Sequence, residues 1–372
     1  ISEDDIEQAI LAKLKVEPFK YDDIIVCDAD PSKRDDLNDG TGRTSKRECV
    51  LPDIMLSALK RINPTIPEDK IKEIVKTLKQ DYTGTDIVDI NYKLYRQIRN
   101  NIKITVRRNG KEDFDFIKLI DFEHPKDNTF IAVSQMWIQG KVYYRRPDIL
   151  IFINGMPLVF IELKNSIVKV EEAYNKNLKD YIRDIPNLFA FNQICVLSNG
   201  LETKLGAFNA TYDYFFEWLK IDSEKEKLNR ESLLSADNVK DSSVRYFVDG
   251  LLNKDRLIDY IENFILFENQ RIKIIAKNHQ YLGVNNLMES LKNRKELNGK
   301  LGIFWHTQGS GKSYSMVMFA RKVKRKVAGN FSFLVITDRE DLDTQIHKNF
   351  VRTEVIGSKE ECQPKDSKQL RD

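Results

Sequence analysis

The sequence predicts an α/β protein in two parts: a mixed sheet flanked by helices over roughly the first 220 residues, and a phosphate-loop domain with a parallel sheet from about residue 261. Three observations carry this. Residues 148–164 read as two strands joined by Asn154-Gly155, followed by a helical pattern at 170–184 and an apolar strand at 193–197. Residues 301–305 form a short apolar run that leads straight into a glycine-rich turn and a helix to about 327. The chain is 41% hydrophobic and 10% aromatic, enough apolar material for real cores, which excludes wholesale disorder.

The length of 372 residues suits two or three domains. Lys and Arg number 60 against 57 Asp and Glu, a net charge of +3, so any nucleic-acid contact must run through local basic patches. Arg107-Arg108 and Arg321–Lys326 are the candidates, and the second lies on a helix whose charges also suit plain solvation. Binding through such patches should weaken steeply with salt. Cys27, Cys49, Cys195 and Cys362 lie far apart with no CxxC pair. That excludes a cysteine-built zinc ribbon or a disulfide framework and suits a reducing cytoplasm. The histidines are scattered with no HExxH, and no apolar run approaches a membrane span. The acidic start is unlike a signal peptide, and the lack of Met at position 1 leads us to expect a trimmed start.

Residues 2–14 predict an amphipathic helix capped by Ser2 with Asp5, its apolar face being Ile6, Ala9, Ile10 and Leu14. Residues 29–48 are polar and Gly/Asp/Lys/Arg-rich, and are expected to form a mobile loop. Helices are expected at 51–62 and 67–79, separated by Pro64 and Pro67. From 102 the period changes to two, and Asn109-Gly110 reads as a hairpin turn. Short strands are expected at 130–135 and 141–144, and residues 220–260 read as charged, helical and without strands. Residues 331–336 predict another buried strand, with polar residues up to Asp343 leaving its C-terminal end toward a ligand crevice.

Arg146-Pro147-Asp148 and Glu162-Leu163-Lys164 stand at the PD-(D/E)xK spacing of Mg²⁺-dependent nucleases. Asp148 and Glu162 offer hard oxygens to Mg²⁺, and the Ile161 carbonyl could add another. Lys164 would orient or help deprotonate the attacking water and stabilise the charged phosphorane. Glu162 and Lys164 are two apart on a strand and share a face, with Val159, Ile161 and Leu163 on the other. A two-residue turn in unbroken register would put Asp148 and Glu162 on opposite faces, so a shared metal demands an odd loop or a bulge. We expect a three-residue loop ending at a left-handed Gly155, which sets Asp148 opposite Phe160 and beside Glu162. The alternative is an ordinary solvated hairpin face. Glu7, beside the apolar stripe of the first helix, could approach the metal, although a solvated glutamate is the favoured reading.

Gln308-Gly309-Ser310-Gly311-Lys312-Ser313 between a strand and a helix is a phosphate-loop context. The glycines let N–H groups turn toward phosphate oxygens, and the helix N-terminus adds partial positive charge. Lys312 would reach the β- and γ-phosphates of ATP, and the Ser313 hydroxyl would hold Mg²⁺. His306 stands where the strict pattern has its first glycine, so the match is to the TGSGK[ST] form of helicase-type motors. Gln280 sits where such motors place an adenine-reading glutamine; the other reading is a surface glutamine.

The two motifs in this order, with Asp121-Phe122, Asn128–Phe130, Asn154–Leu158, Ile161–Asn165, Leu197–Gly200, Trp305–Ser313 and Val335–Asp343, resemble the restriction subunit of type I restriction-modification enzymes from about residue 2 to about 350. The resemblance implies an endonuclease domain over 1–220, a helical connector over 221–260 and a truncated first RecA-like lobe over 261–372. It also implies an ATP-dependent endonuclease that translocates double-stranded DNA and cleaves it away from the recognition site, in complex with methyltransferase and specificity subunits, in a bacterial or archaeal cytoplasm. The family's Gln-x-x-x-Tyr motif corresponds here to Asn177 and Tyr181. The asparagine puts a direct DNA contact at 177 in doubt, and Tyr181 fits either a DNA contact or helix packing. The chain stops before an Asp-Glu-x-His/Asp box and a second lobe, so it looks like a fragment, expected to bind nucleotide weakly without turning it over. Two other readings are an ATP-sensing, DNA-holding module whose nuclease face is not catalytic, and a stand-alone helicase with an accessory domain.

Overall fold

The helix expected at the N-terminus runs from Glu3 to Lys15, and Ser2 and Asp5 close a reciprocal capping box at its start. Ile6, Ile10, Leu11 and Leu14 are all buried, each burial being worth about 1.5–3 kcal/mol. The computed structural model describes residues 1–108, 110–227, 229–234, 236–356, 363–364 and 366–371. It comprises two compact units, Ile1–Ile221 with Lys227–Glu262, and Asp222–Glu226 with Asn263–Asp372.

The first unit is built on a seven-stranded mixed sheet. In spatial order its strands are Asp23–Val26, Phe130–Ser134, Ile149–Ile153, Met156–Leu163, Ile194–Ser198, Thr203–Gly206 and Phe216–Glu217. The first pair and the Met156–Leu163/Ile194–Ser198 pair are parallel; the others are antiparallel. Ile149–Ile153 and Met156–Leu163 are buried along their whole length, because helical layers cover both faces. Phe152, Phe160 and Leu197 share one core with Val170, Leu178 and Tyr181 of the segment that follows the second strand. That segment, expected as one helix over 170–184, is helical throughout but passes through a π-helical stretch at Ala173–Leu178. Helices Pro52–Ile62 and Glu68–Leu78 form as expected, and Ile87–Asn100, capped by Asp86, is an additional one. Ile102–Arg108 pairs with Lys111–Ile117 as a separate hairpin; Asn109 of its expected turn lies outside the described residues, as does Cys362.

Within the polar loop 29–48, most of 31–38 is exposed, but 39–48 is held by buried contacts. The Asp39 carboxylate accepts from Arg43 at 2.8 Å and from Lys46 at 2.6 Å, and the Arg43 guanidinium also reaches the carbonyls of Trp137 and Glu48. Residues 220–260, expected to be helical and without strands, do carry helices, and these pack into the unit. Helices Ser243–Leu251 and Lys254–Asn263 turn Val244, Phe247, Leu251, Leu257 and Ile261 inward, and the Tyr21 and Tyr95 hydroxyls donate to the Leu252 and Ile261 carbonyls.

In the second unit, Ile265–Glu268 pairs with Ile272–Ile275, followed by helices Asn278–Lys292, Lys312–Lys326 and Glu340–Arg352. The strands expected at 301–305 and 331–336, and with them the parallel sheet, do not form among the described residues. Both runs are without assigned strand and largely exposed, Ile303 at 94% and Ile336 at 82%. A strand draws its stability from ladder neighbours, and neither run has one among the described residues.

Candidate active site

Asn154 and Gly155 make a two-residue turn with φ of 50° and 78°, the left-handed pair of a type I′ hairpin. The Asn154 side chain is fully buried: it accepts from the Thr129 N–H and donates to the Leu119 carbonyl and the Asn128 amide oxygen. Asn128 in turn pairs with the Asp121 main chain, so these motif residues brace the turn. A Cβ on Gly155 would lie 2.5 Å from the Leu51 carbonyl oxygen and 2.8 Å from the Met55 nitrogen. Gly155→Ala is therefore expected to lower stability by about 2–4 kcal/mol, from the left-handed backbone plus overpacking, as read by urea denaturation.

The loop is thus shorter than the three residues expected, and the odd offset comes from a bulge. Phe152 faces Pro157 while Ile151 faces Val159, leaving Leu158 as the extra residue. Beyond it Ile149 opposes Ile161, so the register carried one residue past the strand end sets Asp148 level with Glu162 rather than Phe160. Residues directly opposite share a face, so the two carboxylates meet.

Asp148 Oδ2 accepts from the Leu163 N–H at 2.7 Å. The Lys164 ammonium donates to Glu162 Oε1 at 3.1 Å and to the Leu163 carbonyl at 2.7 Å. Glu162 is 2% exposed, and no donor among the described residues reaches its Oε2. Tyr181 stands beside it with its ring edge-on to Phe160, but gives its proton to the Arg146 carbonyl at 3.1 Å. Burial, reinforced by the Asp148 charge, pushes Glu162 well above the ordinary carboxylate value of 4.5, and Lys164 offsets only part of this. Burial raises Asp148 too, against the pull of the Leu163 N–H and Lys164. Lys164 also titrates high: burial favours its neutral form, but the Glu162 charge outweighs that.

Glu7 is not solvated. It is buried at 6% exposure and accepts from the Gln135 amide nitrogen at 2.5 Å. Burial raises its pKa, and the Asp148 charge adds to the effect. Asp148 and Glu162 are therefore buried beside each other with the Lys164 ammonium, and Glu7 is linked to Asp148 through Gln135; paired carboxylates of this kind suit a hard divalent cation. Ile161 sits between ladder neighbours Ile149 and Val196, whereas the backbone oxygen that meets the Lys164 ammonium is that of Leu163. Leu163 and Gln135 escaped the sequence reading. Asn177 lies partly exposed in the π-helical stretch near the Tyr181 side chain. A second group, Asp121, Glu123 and His124, brings potential ligand atoms together, but Asp121 already caps the Glu123 and His124 N–H groups.

In the second unit, Gly309 and Gly311 take φ of 78° and 87° just before the helix that starts at Lys312. The Lys312 ammonium donates to the carbonyls of His306 and Thr307 at 2.8 and 3.1 Å, Gln308 is exposed, and Ser313 lies in the first helical turn. Gln280 is not a surface residue: it is 4% exposed and donates to the Gly311 carbonyl at 2.9 Å, while His279 meets the Ser310 carbonyl at 2.9 Å. The φ of 87° at Gly311, in the left-handed region, favours glycine there, and a Cβ would also crowd the Gln280 amide nitrogen at 2.7 Å. Arg321 and Lys322 point inward, to the Ile265 carbonyl and the Asn285 side chain; Lys324, Arg325 and Lys326 remain exposed.

Residues 1–214 match the family described as type I restriction enzyme R protein N terminus, and residues 279–372 match SWI2/SNF2 ATPase. The type I restriction enzyme HindI endonuclease subunit of Haemophilus influenzae is 32% identical, over 100% of this chain and 35% of its own length. A putative type I restriction enzyme MjaIXP endonuclease subunit of Methanocaldococcus jannaschii is 32% identical over 83% of this chain and 31% of its own. A Staphylococcus aureus endonuclease subunit, SauCOLORF180P, is 26% identical over 67% of this chain and 25% of its own. The chain spans about a third of the length of the first of these relatives. Among the described residues no helix is long and apolar enough to cross a membrane.

Proposed function

The chain belongs to the type I restriction enzyme R protein family, and from that premise we propose that it is the nuclease-bearing part of a restriction subunit that translocates double-stranded DNA with ATP and cleaves it away from the recognition site. In this reading residues 1–220 are a PD-(D/E)xK endonuclease domain, 221–260 a helical connector and 261–372 the first RecA-like lobe. Methyltransferase and specificity subunits would supply recognition, in a bacterial or archaeal cytoplasm.

The observation that carries the nuclease reading is that Asp148, Glu162 and Lys164 are buried together while Glu162 Oε2 has no donor among the described residues. Asp148 and Glu162 would hold Mg²⁺, with the Leu163 carbonyl the nearest candidate for a backbone ligand and Glu7 behind Asp148. A divalent cation there supplies Lewis-acid polarisation of the phosphodiester and an acidified water. Lys164 would stabilise the negative charge that develops on the phosphorane oxygens. Tyr181 supports the Glu162 side from within the core. Asn177 is the DNA contact proposed on the same helical segment.

For the motor part, Gln308, Gly309, Ser310 and Gly311 would present N–H groups to the ATP phosphates, with Lys312 on the β- and γ-phosphates and Ser313 on Mg²⁺. Gln280 would read adenine from its place against the loop. The test is Mg²⁺-dependent cleavage by the full restriction complex. Asp148→Ala and Lys164→Ala should each abolish it while ATP turnover continues; cleavage surviving both substitutions would sink the nuclease reading.

A further inference from the structure

We propose that Gln135 is a positioning residue of the carboxylate cluster: its main-chain N–H and its side-chain amide together fix Asp148 and draw Glu7 to it, so that the cation-binding oxygens are set in advance. This rests on the nuclease reading above.

Gln135 follows directly on the strand Phe130–Ser134 and has a φ of 57°, in the left-handed region that residues with side chains rarely occupy. Such a conformation persists only where its surroundings hold it. Here it aims the Gln135 N–H at the Asp148 carbonyl, 2.9 Å away. It also brings the amide nitrogen between two carboxylates, 2.5 Å from Glu7 Oε2 and 3.3 Å from Asp148 Oδ1.

A primary amide nitrogen carries two hydrogens and serves two acceptors at once. With two carboxylates facing it, the nitrogen rather than the oxygen must point inward. Asp148 Oδ2 is held independently by the Leu163 N–H. Each Asp148 oxygen therefore has a protein donor behind it and keeps a lone pair for a cation. Glu7, on a separate helix, is tied to the site through this side chain. Partners that orient a metal ligand from behind typically contribute about 10–100-fold in metal affinity.

The test is Mn²⁺ binding to the 372-residue chain, followed by the paramagnetic resonance of unbound Mn²⁺, with thermal melting in parallel. Gln135→Met keeps the side-chain length and removes the side-chain amide while leaving the main-chain N–H in place; Gln135→Ala serves if the methionine variant does not fold. Wild type should bind, Asp148→Ala should not, and the Gln135 variant should bind about 10-fold more weakly or worse with its melting midpoint within a few degrees of wild type. If wild type binds and Asp148→Ala does not, but the Gln135 variant binds like wild type, the positioning role is overturned and the nuclease reading stands. If wild type does not bind, or Asp148→Ala binds like it, the nuclease site itself is overturned, and the positioning role with it.

Discussion

Glu162→Gln is expected to make the cation-free chain more heat-stable and the nuclease about 10³-fold slower, the loss equivalent to roughly 4 kcal/mol of transition-state charge stabilisation. The two effects share one cause. Glu162 is almost completely buried beside a second carboxylate, so folding without a cation favours its protonated form. A pKa raised above its unfolded value means that the folded state holds a proton the unfolded state has released. The associated stability is complete below the ordinary 4.5 and is lost as pH rises through the folded value. The isosteric amide carries no charge to desolvate, so its melting midpoint should exceed that of wild type near neutral pH in EDTA. A gain of about 1 kcal/mol corresponds to roughly 2–4 °C. Its dependence on pH should also be shallower, although Asp148 and Glu7, both raised by burial, leave a residual slope. Mg²⁺ should stabilise wild type and not the variant, because the amide oxygen is a far weaker ligand. Melting both chains from about pH 5 to about pH 8, with and without Mg²⁺, checks the stability half; cleavage by the assembled complex checks the other. A variant that melts below wild type in EDTA would contradict the account.

What was legible in the sequence follows from how local each signal is. Asn154-Gly155 marks a turn by residue type alone, since both positions take positive φ, but its two-residue length was missed in favour of a three-residue loop. The spacing of Asp148, Glu162 and Lys164 could be read because their chemistry is specific. The bulge at Leu158 could not, because nothing in Met156–Leu163 marks which residue the ladder skips. Glu7 and Gln135 belong to the cluster only through pairing across more than 120 positions, an order of contact that periodicity does not carry. The burial of Gln280 was not readable, since it comes with a contact to the Gly311 carbonyl 31 positions away. The glycine turn ahead of the helix that starts at Lys312 was readable because its residues are contiguous. The flanking apolar runs were over-read as strands, since a strand is a property of neighbours and not of one segment.

The 29–48 segment shows the opposite failure, where polar composition hid a buried framework, and it sets the largest stability effect expected away from the site. Asp39→Ala should destabilise the fold by about 3–5 kcal/mol, the usual effect of leaving buried cations without their counter-charge. The Arg43 side chain is completely buried and that of Lys46 nearly so, and both depend on Asp39 Oδ2. Burial alone would raise the Asp39 carboxyl, but the Lys46 ammonium, the Thr41 hydroxyl and the Arg43 charge together hold it at about 2. A lowered folded value means that its stabilisation is present above the unfolded 3.8 and disappears as pH falls toward the folded one. The deficit of the variant should therefore be full at neutral pH and shrink on acidification below about pH 4. Adding Lys46→Met to Asp39→Ala removes one of the two stranded cations, so the double variant should recover part of the loss. Urea denaturation of wild type, single and double variants at neutral pH is the deciding measurement. A double variant less stable than Asp39→Ala alone would show that Lys46 acts through packing of its stem rather than through the pair.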